Sequence, residues 1–192
     1  MTERRAAVTA LPWTWLTQVH GTGVVIVRAP GGSSGEEADA AVTTVRAAAL
    51  SVATADCAPV VLANRTGDAL GVVHAGWRGL VDGVVAAAVA ALRAGGADEP
   101  IAALGPCIHP ACYEFGEADL AMVVDRLGDS ARGVTAQGGP ALDLPGAVRA
   151  VLSSVGVELA VDVGVCTACN DDYYSHRARG DLERQATVAW LP

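Results

Sequence analysis

The chain contains no lysine: every one of its 13 basic residues is an arginine. That absence excludes a Walker A phosphate loop, a pyridoxal-phosphate enzyme and any Schiff-base mechanism, because each needs a lysine amine. Aromatics are scarce, with 4 Trp, 3 Tyr and 1 Phe, so the core must be mostly Val, Ala and Leu. No long apolar run exists either. The best candidate, Leu80 to Leu92, is too short to span a bilayer. The start, Met1-Thr2-Glu3-Arg4-Arg5, leads into no signal-peptide core with a small-residue cleavage site, which sets the expectation of a cytoplasmic protein without a membrane partner. Basic charge is outweighed by 21 acidic residues, for a net charge of −8. Such a surface repels phosphate backbones, so no nucleic-acid partner is expected.

What is present points to a folded enzyme-sized domain. Hydrophobic residues make up 52% and charged residues 18%, which excludes a disordered chain. At roughly 150 residues per domain, residues 1–192 read as a single domain. The five cysteines are an odd number, and cytosolic thiols stay reduced. They therefore read as free, catalytic or metal-bound before disulfide-paired.

The first half reads as strands: Val24 to Arg28, Ala38 to Thr43, Ala49 to Thr54, Pro59 to Ala63 and Leu70 to His74. Their near-continuous apolar character suits strands covered on both faces. Helices come later. Leu80 to Arg93 is stopped by Gly95-Gly96, and Glu117 to Leu127 has Leu120, Val123, Val124 and Leu127 on one stripe. Asp143 can cap a third helix through Ser153, with Pro145 in its first turn. Ile101 to Leu104, Ala160 to Val163 and Gln185 to Leu191 return to strand character.

Only four histidines exist: His20, His74, His109 and His176. His20 and His74 stand at element ends beside glycines, and Cys57 lies between two expected strands. Two imidazoles and a thiolate would fill three positions of tetrahedral zinc and leave one open, the arrangement of catalytic zinc. The spacing equally allows a buried cysteine and two satisfied histidines. A blue-copper site would add a weak axial Met, and the only methionines are Met1 and Met122. Four histidines are too few for a multicopper centre, so one divalent ion is what the inventory supports. Cys107 and Cys112 with Cys166 and Cys169 have the pattern of a four-thiolate zinc site or, for the latter pair, of a redox couple. Small buried hydrophobes are the preferred reading of these four.

The local sequences Gln18-Val19-His20-Gly21, Ala38-Asp39-Ala40, Thr54-Ala55-Asp56-Cys57-Ala58-Pro59-Val60 and His74-Ala75-Gly76-Trp77-Arg78-Gly79 together resemble the YfiH-like laccase-domain family. The later pieces agree: Gly105-Pro106-Cys107-Ile108, Tyr113-Glu114, Asp143-Leu144, Cys166-Thr167 and Tyr174-Ser175-His176-Arg177. Members are variously called multicopper polyphenol oxidase, purine nucleoside phosphorylase and peptidoglycan editing factor. The resemblance implies an α/β (α+β) layered sandwich with mixed β-sheets, like that of cytotoxic necrotizing factor. It implies zinc on His20, Cys57 and His74. It also implies an N-terminal stretch ahead of Gln-Val-His that is longer than Met1 to Thr17, with Arg4-Arg5-Ala6-Ala7 resembling its tail.

The activity so implied is phosphorolysis of adenosine, inosine or 5′-methylthioadenosine, with adenosine deamination as a second activity. Nucleoside and phosphate are the expected partners. With no lysine, cationic side-chain contacts to phosphate fall to arginine, unless a histidine is protonated. Arg78 is the catalytic candidate for an anion fork near the metal. Asp56, adjacent to Cys57, is a second catalytic candidate, as proton acceptor or as the group that orients a ligand imidazole. Gln18 and Arg177 are the substrate-binding candidates, and His176 is expected at the rim or exposed. Two rival functions remain open at this point: a Cys-His or zinc amide hydrolase editing peptidoglycan precursors, and a non-catalytic partner-binding module.

Overall fold

A computed structural model describes residues 8–192. The Arg4–Ala7 segment lies outside the described residues. Six strands form a mixed sheet in the order β10-β7-β5-β6-β3-β2. They are β2 (Val24–Val27), β3 (Ala40–Thr43), β5 (Ala58–Asn64), β6 (Leu70–Ala75), β7 (Pro100–Leu104) and β10 (Glu158–Asp162). The central pairs β3/β6, β6/β5 and β5/β7 are antiparallel, while β2 and β10 join their neighbours in parallel. A smaller sheet pairs β4 (Ala49–Thr54) in parallel with β1 (Trp13–Thr14) and antiparallel with β11 (Gln185–Trp190). β8 (Arg132–Val134) and β9 (Pro140–Leu142) form a separate hairpin. The expected mixed α/β layering is what the chain adopts.

The period of two along each strand explains the layers. Ala40 and Val42 of β3, Val60 and Leu62 of β5 and Val73 of β6 face a core completed by helices. The alternate residues Ala41, Leu70 and Val72 face a second core, completed by Leu50 and Val52 of the small sheet with Leu16 and Leu191. Each central strand therefore buries both faces, which is why these segments are apolar at nearly every position.

The helices are α1 (Trp77–Asp82), α2 (Val84–Ala94), α3 (Glu117–Leu127), α4 (Leu144–Ser154) and α5 (His176–Arg179). Asp143 caps α4 as expected, its carboxylate accepting the Gly146 N–H at 2.8 Å. One expectation needs correction. The apolar run from Leu80 is two helices, because Gly83 takes φ 98° and its N–H turns back to the carbonyls of Gly79 and Leu80. Leu80, Val84, Val85, Ala88, Val89 and Leu92 still share one buried stripe, so the hydrophobic pattern runs through the break without registering it. The strands β1, β8 and β9 span only two or three residues and α5 is little more than one helical turn, too short for a period of two or of 3.6 to register. Among the described residues no helix is long and apolar enough to cross a membrane.

Candidate metal centre

The site lies at the end of the sheets. His74 ends the alternation of Leu70 and Val72 on β6, so its side chain points toward the small sheet rather than the helices. Cys57 stands in the turn between β4 and β5, and His20 in the loop before β2. The ligand atoms of His20, Cys57 and His74 all lie within 4.8 Å of one another. Cys57 Sγ is 3.8 Å from His20 Nε2, and the two imidazole rings meet edge to face at 4.8 Å. Tetrahedral zinc with bonds of about 2.0–2.3 Å holds its ligand atoms about 3.3–3.8 Å apart. The three side chains fit such an ion.

Asp39, fully buried, holds this arrangement together. One carboxylate oxygen accepts His74 Nδ1–H at 2.8 Å and the His20 N–H at 2.9 Å. The other accepts the N–H groups of Gly21 at 2.7 Å and Val19 at 3.2 Å. The bond to Nδ1 fixes the tautomer that leaves His74 Nε2 free for a metal. The bonds to the loop hold His20 at φ 60°, a left-handed conformation uncommon for a non-glycine residue. Burial opposes ionisation of Asp39, yet the His74 contact and the backbone donors bring its carboxyl below the usual range. Burial likewise opposes the Cys57 thiolate, but hydrogen bonds and charge from His20 and His74 bring it down to about 6. His74 is pushed up to about 9 against its burial, first by Asp39 and then by Cys57. A neutral thiol is thus disfavoured between these two imidazoles, as a thiolate ligand requires.

The aspartate expected to orient a ligand imidazole was Asp56, and that contact belongs to Asp39 instead. The signal was present in Ala38-Asp39-Ala40, where an acid interrupts a strand that is otherwise apolar. Asp56 performs a parallel task on the C-terminal segment. At φ 97°, it accepts the hydroxyls of Thr167 and Ser175 and the Arg177 N–H, each at 2.7 Å. Both of its oxygens are engaged in holding that segment.

A cleft of about 500 Å³ opens over the three ligands, and its walls include Gln18, His176 and Arg184. Both ends of the Gln18 amide are bound to the backbone of Ala53, at 2.7 Å each. His176 is exposed and stands on the cleft wall, in agreement with the rim position expected of it. Arg184 was not anticipated. It follows no local pattern, and only the pairing of β11 with β4 brings it to the cleft. Arg78 and Arg177 are not among the residues lining this cleft. Arg78 lies 4.4 Å over the Trp77 ring and Arg177 5.1 Å over the Tyr113 ring. Phe115 joins those two aromatics edge-on, so most of an aromatic ladder stands beside the centre.

Gly76 explains the absence of a side chain after His74-Ala75. Its backbone, φ −72° and ψ 159°, suits any residue. A Cβ there would stand 2.8 Å from His20 Cδ2 and 3.3 Å from Cys57 Sγ. Gly76→Ala is therefore expected to displace the His20 ring and weaken zinc binding about 10-fold or more while leaving the fold intact. Competition against a chromophoric chelator measures the first and circular dichroism the second.

The remaining cysteines divide. Cys107 is buried and its thiol is pushed up by that burial, as a small core residue should be. Cys112 and Cys169 are half-buried and exposed, which corrects the expectation of buried hydrophobes, and they meet Cys166 in a second group able to hold a metal. His109 and His176 belong to neither group.

Residues 2–192 match the family model described as multi-copper polyphenol oxidoreductase laccase. The chain is 40% identical over 180 residues to a purine nucleoside phosphorylase of Streptomyces coelicolor, covering 92% of this chain and 74% of that protein. It is 43% identical over 188 residues to a purine nucleoside phosphorylase of Xylella fastidiosa, covering 92% and 71% respectively. Among solved structures, a Neisseria meningitidis protein superposes with a TM-score of 0.87 at 31% identity, over 99% of this chain and 79% of that one. The YfiH protein of Bacillus licheniformis superposes with a TM-score of 0.83 at 26% identity, over 98% and 79%. With the match running through all three ligand segments and both buried aspartates, this chain belongs to the multi-copper polyphenol oxidoreductase laccase family.

Proposed function

We propose that the protein is a zinc-dependent purine nucleoside phosphorylase acting on adenosine, inosine or 5′-methylthioadenosine, with adenosine deamination as a side activity. The observation that carries this reading is the convergence of His20, Cys57 and His74 beneath an open cleft, in a chain whose relatives are named for that reaction. Two imidazoles and one thiolate favour zinc over the several coppers of the family's older description. When bound, zinc supplies a Lewis acid at the cleft floor.

The chain's own residues have the following tasks. Phosphorolysis breaks the bond from C1′ to the base nitrogen and forms one from C1′ to a phosphate oxygen, and the departing base takes up a proton. Arg184 on the cleft wall binds the phosphate as a cationic fork. Arg78 and Arg177, each stacked on an aromatic ring and outside the cleft lining, supply outer cationic charge that draws the anion toward the site. His176 is the proton carrier for the base, being the one titratable group on that wall, among the described residues, besides Arg184 and the three ligands. Asp56 is a positioning residue, holding the segment that carries His176 and Arg177. Gln18 contributes wall surface, with its amide occupied by Ala53. The protein works in the cytoplasm on small molecules.

Incubating the purified protein with adenosine, with and without phosphate, tests this reading. Adenine formed only with phosphate is the expected product, with a lesser amount of inosine. No product under any condition would leave the partner-binding module standing. A second reading, Cys57 as nucleophile of an amide hydrolase, draws on the low Cys57 pKa and the neighbouring His20. Alkylation separates the two: Cys57 is expected to react in metal-stripped protein and to be protected in the zinc-loaded form.

A further inference from the structure

We propose that Cys112, Cys166 and Cys169 form a second metal site, a three-thiolate centre that binds zinc with its fourth position open. Their Sγ atoms all lie within 4.8 Å of one another, although Cys112 is far from the other two in sequence. Cys112 comes from the short 3₁₀ turn Pro110–Cys112. Cys166 and Cys169 come from a single turn after β10, where two intervening residues place both sulfurs on one side. That spacing is the one structural zinc sites use. Cys112 Sγ stands 3.0 Å from Cys169 Sγ, and an ion bonded at about 2.3 Å would part them by less than about 1 Å.

The surroundings favour a metal over a disulfide between Cys112 and Cys169. A disulfide would use two sulfurs and leave the third without a task. Yet the third, Cys166, has a backbone donor of its own. Its Sγ accepts the His109 N–H at 3.4 Å. Backbone donors aimed at sulfur stabilise a thiolate, which a metal needs and a disulfide does not. Cys169 is exposed, so an ion can reach the group from solvent.

The position gives the ion a purpose in the fold. Thr167, between the two turn cysteines, donates its hydroxyl to Asp56, and Arg179 donates to the carbonyls of Thr167 and Ala168. An ion here ties the 3₁₀ turn to that segment and so fixes the partner that Asp56 grips, one residue from Cys57. This assignment is independent of the reaction proposed above.

Elemental analysis of the full chain, purified under reducing conditions and loaded with zinc, tests it. Two zinc ions per chain are expected, falling to one in Cys169→Ser, in Cys112→Ser and in Cys57→Ser. Cobalt substitution tells the sites apart: most of the sulfur-to-cobalt absorption is expected to persist in Cys57→Ser, whereas Cys169→Ser should keep only the weaker band of the single Cys57 thiolate. Three results would overturn the assignment. One is a single zinc that disappears in Cys57→Ser; another is a count of two unchanged by both serine variants at Cys112 and Cys169. The third is a Cys112–Cys169 disulfide, seen as the loss of two hydrogens by mass spectrometry, in protein never exposed to oxidant.

Discussion

Asp39→Ala is expected to destabilise the metal-stripped protein by about 3–5 kcal/mol, the scale of removing one member of a buried charged pair. The variant deletes four contacts at once: those to His74 Nδ1 and to the N–H groups of Val19, His20 and Gly21. Losing the carboxylate also withdraws what holds His20 at positive φ and what fixes the His74 tautomer. Zinc affinity is therefore expected to fall about 10–100-fold, as for other carboxylates that orient a metal-bound imidazole. Asp39→Asn should fall in between, since the amide keeps an acceptor oxygen but turns a donor toward backbone N–H groups. Denaturant unfolding of stripped protein reads the first effect, and chelator competition the second. Equal zinc affinity in wild type and Asp39→Ala would refute the role given to this residue.

Cys57→Ala is expected to have the opposite profile, a small effect on stability and a large one on chemistry. The side chain is only half-buried and stands beside the exposed His20. Without the thiolate, two histidines remain, too few to retain zinc at this centre. A Lewis acid contributes several kcal/mol to a charged transition state. At about 1.36 kcal/mol per tenfold, phosphorolysis should fall by about 10³-fold. Phosphate-dependent release of adenine, with zinc content measured on the same sample, checks it. Undiminished turnover by Cys57→Ala protein that has lost the zinc of this centre would rule out the proposed mechanism.

Much of the architecture was legible because central strands are repetitive. The run from Ala49 to Thr54 and the run from Leu70 to His74 are bounded by turn residues and bury both faces, so composition alone marks them. Helix α3 was legible from Leu120 and Val123 on one stripe with Gly128 as its stop. The break at Gly83 was not, since a glycine with φ 98° leaves the apolar stripe unchanged on either side. At the site, the ligands were readable as residue types, whereas the hydrogen bonds that hold them were not. Asp39 and Asp56 are both aspartates beside alanines; which one reaches an imidazole depends on strand pairing across the sheet. Arg184 lies outside any element and was invisible for the same reason. The thiolate group was half-legible: Cys166 and Cys169 announce themselves by spacing, but their convergence with Cys112 depends on the bridge between Cys107 and Cys166.

The antiparallel ladder of β3 with β6 runs directly into the centre, for the His74 N–H donates to the Asp39 carbonyl at 2.7 Å just beyond the last paired residues, Ala40 and Val73. Backbone and side chain of the same two residues are thus joined twice. A slip of one residue in that ladder would turn His74 toward the helices and present Val73 to Asp39 and Cys57. Only one alignment of the two strands can complete the triad, so an ion captured there stabilises the correct pairing over every slipped alternative. The ligand set acts as a proofreader of the sheet that carries it.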